Sequence, residues 1–277
     1  MTCRTLGVAR SWFYYRRQPR QPRPLRRPQL TGLIQQVLAQ CPPSYGYRRI
    51  HALLRRQGVQ CNRKTVYQHL KRQAWLASHR HRTQRPGRPH EGKVAVPSSN
   101  RRWACDITNL KLWNGQKLRL AVIIDCADRR VIAWKLQARL FAQDICELLR
   151  EALFQRFALQ RHLAKDLEFL TDNGPEFIAE PLRQLLNQLG LIACHTPCRS
   201  PQSNGLVESF FGSFKRDYLA HQPLETVAEA LKHIPAWITH YNEVAPHSAL
   251  AMLSPTTFYQ RSLTKSHAKT TTTPVQS

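Results

Sequence analysis

The fold class depends most on residues 103–137, which read WACDITNLKLWNGQKLRLAVIIDCADRRVIAWKLQ. Three runs within this stretch are rich in β-branched and aromatic residues, which is typical of β-strands. They span Trp103–Trp113, Leu118–Asp125 and Val131–Gln137. Asn114-Gly115 separates the first two runs and is a strong hairpin signal, because both residues tolerate the positive φ of a tight turn. The stretch therefore predicts three consecutive antiparallel strands.

The residues that follow alternate between helical and strand-like patterns. The predicted elements are a helix at Phe141–Phe157, a strand at Leu163–Leu170, a helix at Pro175–Leu189, a short strand at Leu191–His195 and a helix at Leu206–Leu219. Antiparallel strands followed by strands that alternate with helices predict an α/β fold with a mixed five-stranded sheet flanked by helices. This element order matches the ribonuclease H-like fold.

Positive charge is concentrated in the first third of the chain. The 277 residues include 42 Lys or Arg and 17 Asp or Glu, for a formal net charge of +25. Residues 1–100 hold 21 of these basic residues and a single acid, Glu91. A strongly basic surface releases counterions from phosphates, so nucleic acid is the first candidate partner. No run of about 18 apolar residues and no leader-like segment is found, so we expect a soluble, unexported protein without a membrane partner.

Two short helices in the basic third predict a small all-α helix-turn-helix module. The first covers Tyr47–Gln57 and is followed by Gly58 as a stop, and Asn62 is the expected N-cap of the second, Arg63–Gln73. Val66 and Leu70 lie one turn apart and would pack inward. The polar residues left on the outer side, which would contact DNA, are Arg63, Lys64, Tyr67, Gln68 and Lys71. An ordinary basic helical hairpin is the alternative.

These patterns divide the chain into five parts. Residues 1–28 are predicted to hold the end of a helical unit and a Pro/Arg linker, and 29–77 the helix-turn-helix module. Residues 78–100 are a basic linker, 101–222 the catalytic core, and 223–277 a C-terminal helix and tail.

Three acids of the core are candidate metal ligands. Alternation along the first strand puts Asp106 on one face with Ala104 and Thr108. Asp172 follows the fourth strand, and Glu208 lies in the first turn of a later helix. The ribonuclease H-like architecture would bring these acids together, because its first and fourth strands are neighbours. Such a cluster suits two Mg²⁺ ions about 4 Å apart, which can activate an attacking oxygen and stabilise a leaving oxygen at a phosphodiester.

Other potential ligands are weaker candidates. Asp125 and Asp128 fall at a strand end and in a tight turn, where solvated acids are expected, and Glu176 is predicted not to ligate directly. The eight cysteines include no CxxC pair. Their tightest group contains Cys194, His195 and Cys198 and has no evident fourth ligand, so free thiols are expected.

The core resembles a known family in three segments. Residues 103–108 read WACDIT, residues 170–177 read LTDNGPEF, and residues 200–209 read SPQSNGLVES. These are similar to the integrase core of bacterial insertion-sequence transposases of the OrfB type, and the 35 residues between Asp172 and Glu208 match that family's spacing. The resemblance covers about residues 102–217.

The resemblance implies an activity and its requirements. An enzyme of this family would cleave its element's terminal inverted repeats and join them to target DNA, with Asp106, Asp172 and Glu208 binding two Mg²⁺ ions, for which Mn²⁺ could substitute. Its implied partners are double-stranded DNA, an OrfA product or fused OrfA, and further copies of itself on DNA. The implied location is the cytoplasm, on the nucleoid when bound to DNA. The family also has a basic residue at the position of Lys215, which implies a contact with DNA.

Features near the C-terminus extend the resemblance but also depart from it. Tyr241-Asn242 and Pro246-His247-Ser248-Ala249-Leu250 are similar to the family's closing motif. Ala245 stands where the family usually has an arginine, and Pro235 interrupts a helix predicted at Glu225–Tyr241, which would affect C-terminal packing. Two other functions remain open from the residues alone: a non-catalytic helix-turn-helix regulator, and a ribonuclease H-like nuclease that cuts without joining.

Overall fold

A computed structural model describes residues 7, 9, 11, 14, 24–77, 96–158, 164, 166–195, 205–222 and 224–270. Most of the predicted N-terminal unit at 1–28 and of the basic linker at 78–100 lies outside these residues. Within the described ranges, no helix is long and apolar enough to cross a membrane.

The N-terminal module consists of three short helices around one apolar core. They are α1 (Leu30–Ala39), α2 (Tyr47–Arg56) and α3 (Arg63–Arg72). Asn62 caps α3 as predicted, because its side chain accepts a hydrogen bond of 2.8 Å from the backbone N–H of Lys64. Val66 and Leu70 are buried, which confirms the predicted inward face of α3.

The same inward face contains a buried histidine that the sequence pattern did not indicate. His69 Nδ1 lies 2.9 Å from Thr31 Oγ1, and its Nε2 lies 3.0 Å from the carbonyl oxygen of Arg26. Both ring nitrogens therefore have partners, and His69 joins α3 to α1 and to the chain that precedes α1.

The central sheet has the predicted five strands. They are β1 (Arg102–Lys111), β2 (Lys117–Asp125), β3 (Val131–Gln137), β4 (Glu168–Thr171) and β5 (Ile192–His195). Their order is β3-β2-β1-β4-β5, with antiparallel pairing among the first three strands of the chain and parallel pairing of β1 with β4 and β4 with β5. The mixed α/β prediction is confirmed, although β4 is shorter than the run Leu163–Leu170.

Helices cover both faces of the sheet. The first face packs on α4 (Ala142–Phe157), α5 (Pro175–Ile178) and α6 (Glu180–Gln188), and the second on α7 (Gly205–Phe214) and α8 (Val227–Glu243). The prediction of one helix at Pro175–Leu189 is wrong, because the chain is extended at Ala179 (ψ 143°). Pro181 has no N–H to donate and its ring would clash with the carbonyl four residues earlier, so a continuous helix is blocked.

The C-terminal part of the chain is helical and packs back on both domains. α7 continues into a π-helical turn at Lys215–Leu219, and α8 contains Pro235 without ending there. A 3-10 turn (Ser248–Leu250) and α9 (Pro255–Thr270) follow. Ala245 is buried in the core of the N-terminal module, where it is only 3% exposed. The two departures from the family pattern are therefore compatible with an ordered C-terminal region.

Candidate active site

The strand register places Asp106 and Asp172 side by side. Parallel pairing of β1 with β4 aligns Trp103 with Phe169 and Ala104 with Leu170. Continuing this register by two residues on each strand aligns Asp106 with Asp172. Since β4 ends at Thr171, Asp172 emerges at the carboxyl end of the parallel pair, next to Asp106.

Asp106 carries a charge that its surroundings do not neutralise. One of its carboxylate oxygens accepts a hydrogen bond of 2.7 Å from the backbone N–H of Ile107. Burial is the largest influence on its pKa, and with the nearby carboxylates of Asp172 and Glu208 it raises that pKa to about 6, against a lowering effect of Lys215. The three predicted acids and Lys215 therefore share one electrostatic site.

A glycine lets the backbone approach Asp172 closely. The N–H of Gly174 donates a hydrogen bond of 2.9 Å to Asp172 Oδ1. A Cβ on residue 174 would lie 3.0 Å from the same oxygen and 3.3 Å from Glu176 Oε2. Glu176 is itself engaged in an ion pair with Arg119 of β2. The loop therefore holds Asp172 in place, and the neighbouring acid, Glu176, is already paired with Arg119.

Glu208 projects from the exposed side of α7. Four apolar residues on the opposite side of the helix are buried against the sheet and α8: Val207, Phe210, Phe211 and Phe214. Residues 196–204, which precede α7, lie outside the described part of the chain. Within that part, no three His, Cys, Asp or Glu side chains are close enough together to hold a metal ion. The structure thus pairs Asp106 with Asp172 and leaves Glu208 within electrostatic range of them.

Lys215 is attached to the same strand as Asp106. Its Nζ donates a hydrogen bond of 2.7 Å to Thr108 Oγ1, and Thr108 lies two residues beyond Asp106 on the same face of β1. Lys215 is the first residue of the π-helical turn, so the helix geometry changes where this side chain meets the site. Single-turn π segments of this kind are frequent at functional sites.

The prediction that Asp125 and Asp128 are solvated is wrong. Both are fully buried, and the Arg156 guanidinium donates to the two oxygens of Asp128 at 3.0 and 2.9 Å. Asp125 accepts hydrogen bonds from the backbone N–H groups of Asn100, Ala127 and Asp128. The partner that removes these acids from solvent lies on α4, 28 residues away from Asp128 in sequence.

The cysteine and histidine group next to β5 forms no metal site in the described residues. Cys194 is a free thiol, as are the five other cysteines that the structure describes. His195 Nδ1 lies 3.1 Å from Thr171 Oγ1. Cys198 lies outside the described ranges.

A basic groove runs between α2 and α3 of the N-terminal module, and we call it the α2/α3 groove. Its volume is about 770 Å³, and it is lined by Tyr47, Arg48, His51, Arg55, Cys61, Asn62, Arg63, Lys64 and Tyr67. The lining holds four permanent cations and no acid, and the rings of Tyr47 and Tyr67 meet edge to face with centroids 5.3 Å apart. Gln68 and Lys71 are exposed on α3 outside this lining.

The sequence pattern did not predict two of the four permanent cations in this groove. Arg48 and Arg55 belong to α2, whereas the sequence pattern pointed only to α3. A signal was available, because residues seven apart lie on the same face of a helix.

The fold and the site define a class: a ribonuclease H-like domain of the integrase type, joined to a helix-turn-helix-like module. Comparisons with known proteins agree with this class. Two Integrase core domain models match residues 97–201 and 191–255, and an HTH-like domain model matches residues 26–83.

Relatives in sequence and structure narrow the class. The Insertion element IS136 uncharacterized protein of Agrobacterium fabrum is 42% identical over 181 residues, which are 65% of this chain and 92% of that protein. Transposase InsD for insertion element IS2D of Escherichia coli is 37% identical over 219 residues, or 77% of this chain and 72% of that one. The chain belongs to the insertion-element transposases with an integrase core. The fold also aligns with a simian T-cell lymphotropic virus intasome structure at TM-score 0.51 and 18% identity, covering 83% of this chain and 73% of that one.

Proposed function

We propose that this transposase cleaves DNA at the terminal inverted repeats of its insertion element and joins the ends to target DNA, with Asp106, Asp172 and Glu208 as the catalytic carboxylates. The observation that supports this assignment is the β1–β4 register, which, continued by two residues, aligns Asp106 with Asp172 at the carboxyl end of the parallel pair. Burial and the neighbouring acids raise the pKa of Asp106, and no ion pair in the described part of the chain neutralises its carboxylate.

The donor set fits a divalent metal. All three candidate ligands are carboxylates, and hard oxygen donors suit Mg²⁺ and also Mn²⁺. Burial, and after it the charges of Asp172 and Glu208, raise the pKa of Asp106, and a bound cation would offset both effects. Asp106, Asp172 and Glu208 would hold two such ions. When bound, they supply activation of the attacking oxygen and stabilisation of the leaving oxygen of a phosphodiester.

The protein's own groups orient the site. The backbone N–H of Ile107 donates to one carboxylate oxygen of Asp106, and that of Gly174 donates to one of Asp172, which fixes the orientation of both side chains. The exposed Glu208 lies where a DNA strand can approach. The hydrogen bond of Lys215 to Thr108 holds its ammonium beside the acids, which supports the proposal that it contacts a phosphate as a point charge.

The N-terminal module would grip the DNA. We assign duplex contacts to Arg63, Lys64, Tyr67, Gln68 and Lys71 of α3, and phosphate contacts to Arg48 and Arg55 across the α2/α3 groove. Gln68 can form paired hydrogen bonds to an adenine edge, whereas we assign the cations of this surface to backbone phosphates. The further partners we propose are an OrfA product or fused OrfA and other copies of this chain on DNA, with action in the cytoplasm at the nucleoid.

The catalytic assignment is tested by replacing each acid with its amide. Asp106→Asn, Asp172→Asn and Glu208→Gln should each abolish cleavage and joining with Mg²⁺, while retaining binding to element-end DNA. Glu180→Gln is the matched control, because it removes a carboxylate from an exposed ion pair with Arg183 and should be active. Near wild-type joining by any one of the three variants would remove that residue from the site. Cleavage by the wild type without joining would identify a nuclease instead.

The DNA-binding assignment is tested by salt dependence. With about six phosphate contacts, the slope of log affinity against log salt should be near −5. Arg63→Ala and Lys64→Ala should weaken binding to all sequences and make the slope shallower, whereas Gln68→Ala should change sequence preference. Binding that does not depend on salt would contradict this role for the module.

A further inference from the structure

One buried carboxylate joins the N-terminal module to the catalytic domain. Asp217 lies in the π-helical turn and is 5% exposed. It accepts hydrogen bonds of 2.7 Å each from Ser44 Oγ and an Arg49 guanidinium nitrogen, and Arg216 donates to both of its oxygens at 2.7 and 3.0 Å. Ser44 and Arg49 belong to the module, so the contact crosses more than 160 residues of chain.

Aromatic and apolar groups enclose this ion pair. The Arg49 guanidinium lies 4.7 Å from the centre of the Tyr45 ring, and Tyr45 in turn lies near His240 of α8. Tyr218 OH and His240 Nδ1 are 2.8 Å apart. Burial protects the Arg49–Asp217 pair from solvent screening, so its loss would be felt far more than the loss of a surface pair.

Further contacts attach the same module at a second point. Arg56, the last residue of α2, donates to the carbonyl oxygens of Val244 and Met252 at 2.6 and 2.7 Å. Ala245 completes the module's apolar core. Helix α2 is thus attached near one end to the catalytic core, through Arg49, and near the other end to the C-terminal part of the chain, through Arg56.

This attachment is continuous with both functional regions. Asp217 follows Lys215 by two residues, and α7, which carries Glu208, runs directly into the turn that holds both. On the other side, α2 presents Arg49 to Asp217, whereas its neighbour Arg48 lines the α2/α3 groove. A continuous series of contacts therefore connects the groove, α2, Asp217 and the helix of Glu208.

We propose that Asp217 is a positioning residue that fixes which phosphodiester reaches the active site when the module holds the DNA duplex. This inference rests on the proposed DNA cleavage. With Asp217 in place, the groove and the acids keep a constant separation, so the cut falls at a constant distance from the bound sequence. Without its carboxylate, the module is held by fewer contacts and the cut is spread over neighbouring phosphodiesters.

The test maps cut positions at single-nucleotide resolution on an end-labelled element end, using the full chain. Asp217→Asn and Arg49→Met remove the ion pair from either side. For each, we expect cleavage at the wild-type position to fall roughly a hundredfold, as a misplacement of about 1 Å can cause, with new cuts at adjacent positions. The double variant should be no worse than either single one, because all three lose the same interaction.

Matched variants separate positioning from general damage. Glu180→Gln should keep the wild-type cut position. Ser44→Ala removes one hydrogen bond to Asp217 and should give a milder spread, which covers the case in which the stronger variants fail to fold. A lower yield at an unchanged position in the folded variants would overturn the proposal, because it would show a structural role only.

A measurement without DNA distinguishes failure of this inference from failure of the proposed function. Backbone amides of α2 and of the π-helical turn should exchange hydrogen faster in Asp217→Asn and in Arg49→Met than in the wild type. Unchanged protection of α2 would show that Asp217 does not hold the module, whether or not the protein cuts DNA. If the wild type cuts no DNA but α2 loses protection in the variants, the proposed function and positioning fail and only the attachment remains.

Discussion

Two groups of carboxylates lie at different places on the catalytic sheet, and they differ in whether the protein pairs them with a cation. Asp125 and Asp128, at the turn from β2 to β3, are fully buried; Arg156 forms an ion pair with Asp128, and its charge also acts on Asp125. Asp106 and Asp172, where β1 meets β4, form no ion pair with any residue in the described ranges. We call these the closed and the open group. Their difference predicts that the closed group stabilises the fold, and it supports the proposal that the open group binds a cation.

The closed group connects three parts of the catalytic half. Arg156 comes from α4 and has a side chain only 1% exposed, and its guanidinium lies 4.1 Å from the centre of the Tyr259 ring in α9. Three backbone N–H groups donate to Asp125. Because other groups of the protein balance the charge of the closed group and donate hydrogen bonds to it, we do not expect it to bind a ligand.

Removing the cation from the closed group should have the largest effect on stability. Arg156→Met leaves two buried acids without their guanidinium, and we expect the free energy of unfolding to fall by about 3–5 kcal/mol. Urea denaturation followed by tryptophan fluorescence measures this change.

The matched control for this prediction is an exposed ion pair. Arg183→Met breaks a pair whose side chains are 69% and 51% exposed, and it should cost less than about 1 kcal/mol. Equal losses for Arg156→Met and Arg183→Met would mean that the closed group does not stabilise the fold.

The open group was easier to foresee from the sequence than the closed one. Alternation along the first strand predicted the face on which Asp106 lies, and the end of the fourth strand predicted the position of Asp172. Both predictions depend only on neighbouring residues in the sequence. The Asp128–Arg156 pair spans β3 and α4, and the Arg49–Asp217 pair spans two domains, so no local pattern indicates either. The extended residue before α6 could have been read locally from Pro181, whereas the π-helical turn depends on contacts that Lys215 and Asp217 make elsewhere.

Asp106→Asn should stabilise the metal-free protein. The pKa of Asp106 is about 6 in the folded state, against about 3.9 for an unfolded Asp. As pH rises from about 4 to about 6, the unfolded state releases this proton first, so the stability of the wild type falls and stays lower above that range. Removing the charge should recover up to about 3 kcal/mol at pH 7.5, at 1.36 kcal/mol for each pKa unit.

Magnesium sharpens the same comparison. With Mg²⁺ added, the unfolding midpoint of the wild type should rise, because a ligand that binds only the folded state stabilises it, and that of Asp106→Asn should rise less. Thermal unfolding from pH 4 to pH 8, with and without Mg²⁺, measures both effects. A destabilised Asp106→Asn at pH 7.5 would place Asp106 with the closed group.

The charge of Lys215 reaches the open group, and its removal should reduce catalysis without affecting the fold. Its Nζ is hydrogen-bonded to Thr108 and its charge lowers the pKa of Asp106. If Lys215 contacts a DNA phosphate, Lys215→Ala should slow joining at least tenfold, or about 1.4 kcal/mol, and weaken binding to cleaved element ends. The unfolding midpoint should stay close to that of the wild type, since the buried stripe of α7 is untouched.

Thr108→Val separates contact with DNA from attachment to the strand. This variant keeps the lysine and a side chain of similar shape but removes the hydroxyl that Lys215 binds. If Lys215 binds a DNA phosphate, it can still do so in Thr108→Val. Joining by Thr108→Val should therefore fall much less than joining by Lys215→Ala. If both variants lost joining equally, the hydrogen bond itself would be what matters, and Lys215 would hold the helix of Glu208 to β1. If Lys215→Ala joined DNA and bound cleaved ends as well as the wild type, Lys215 would not contact DNA.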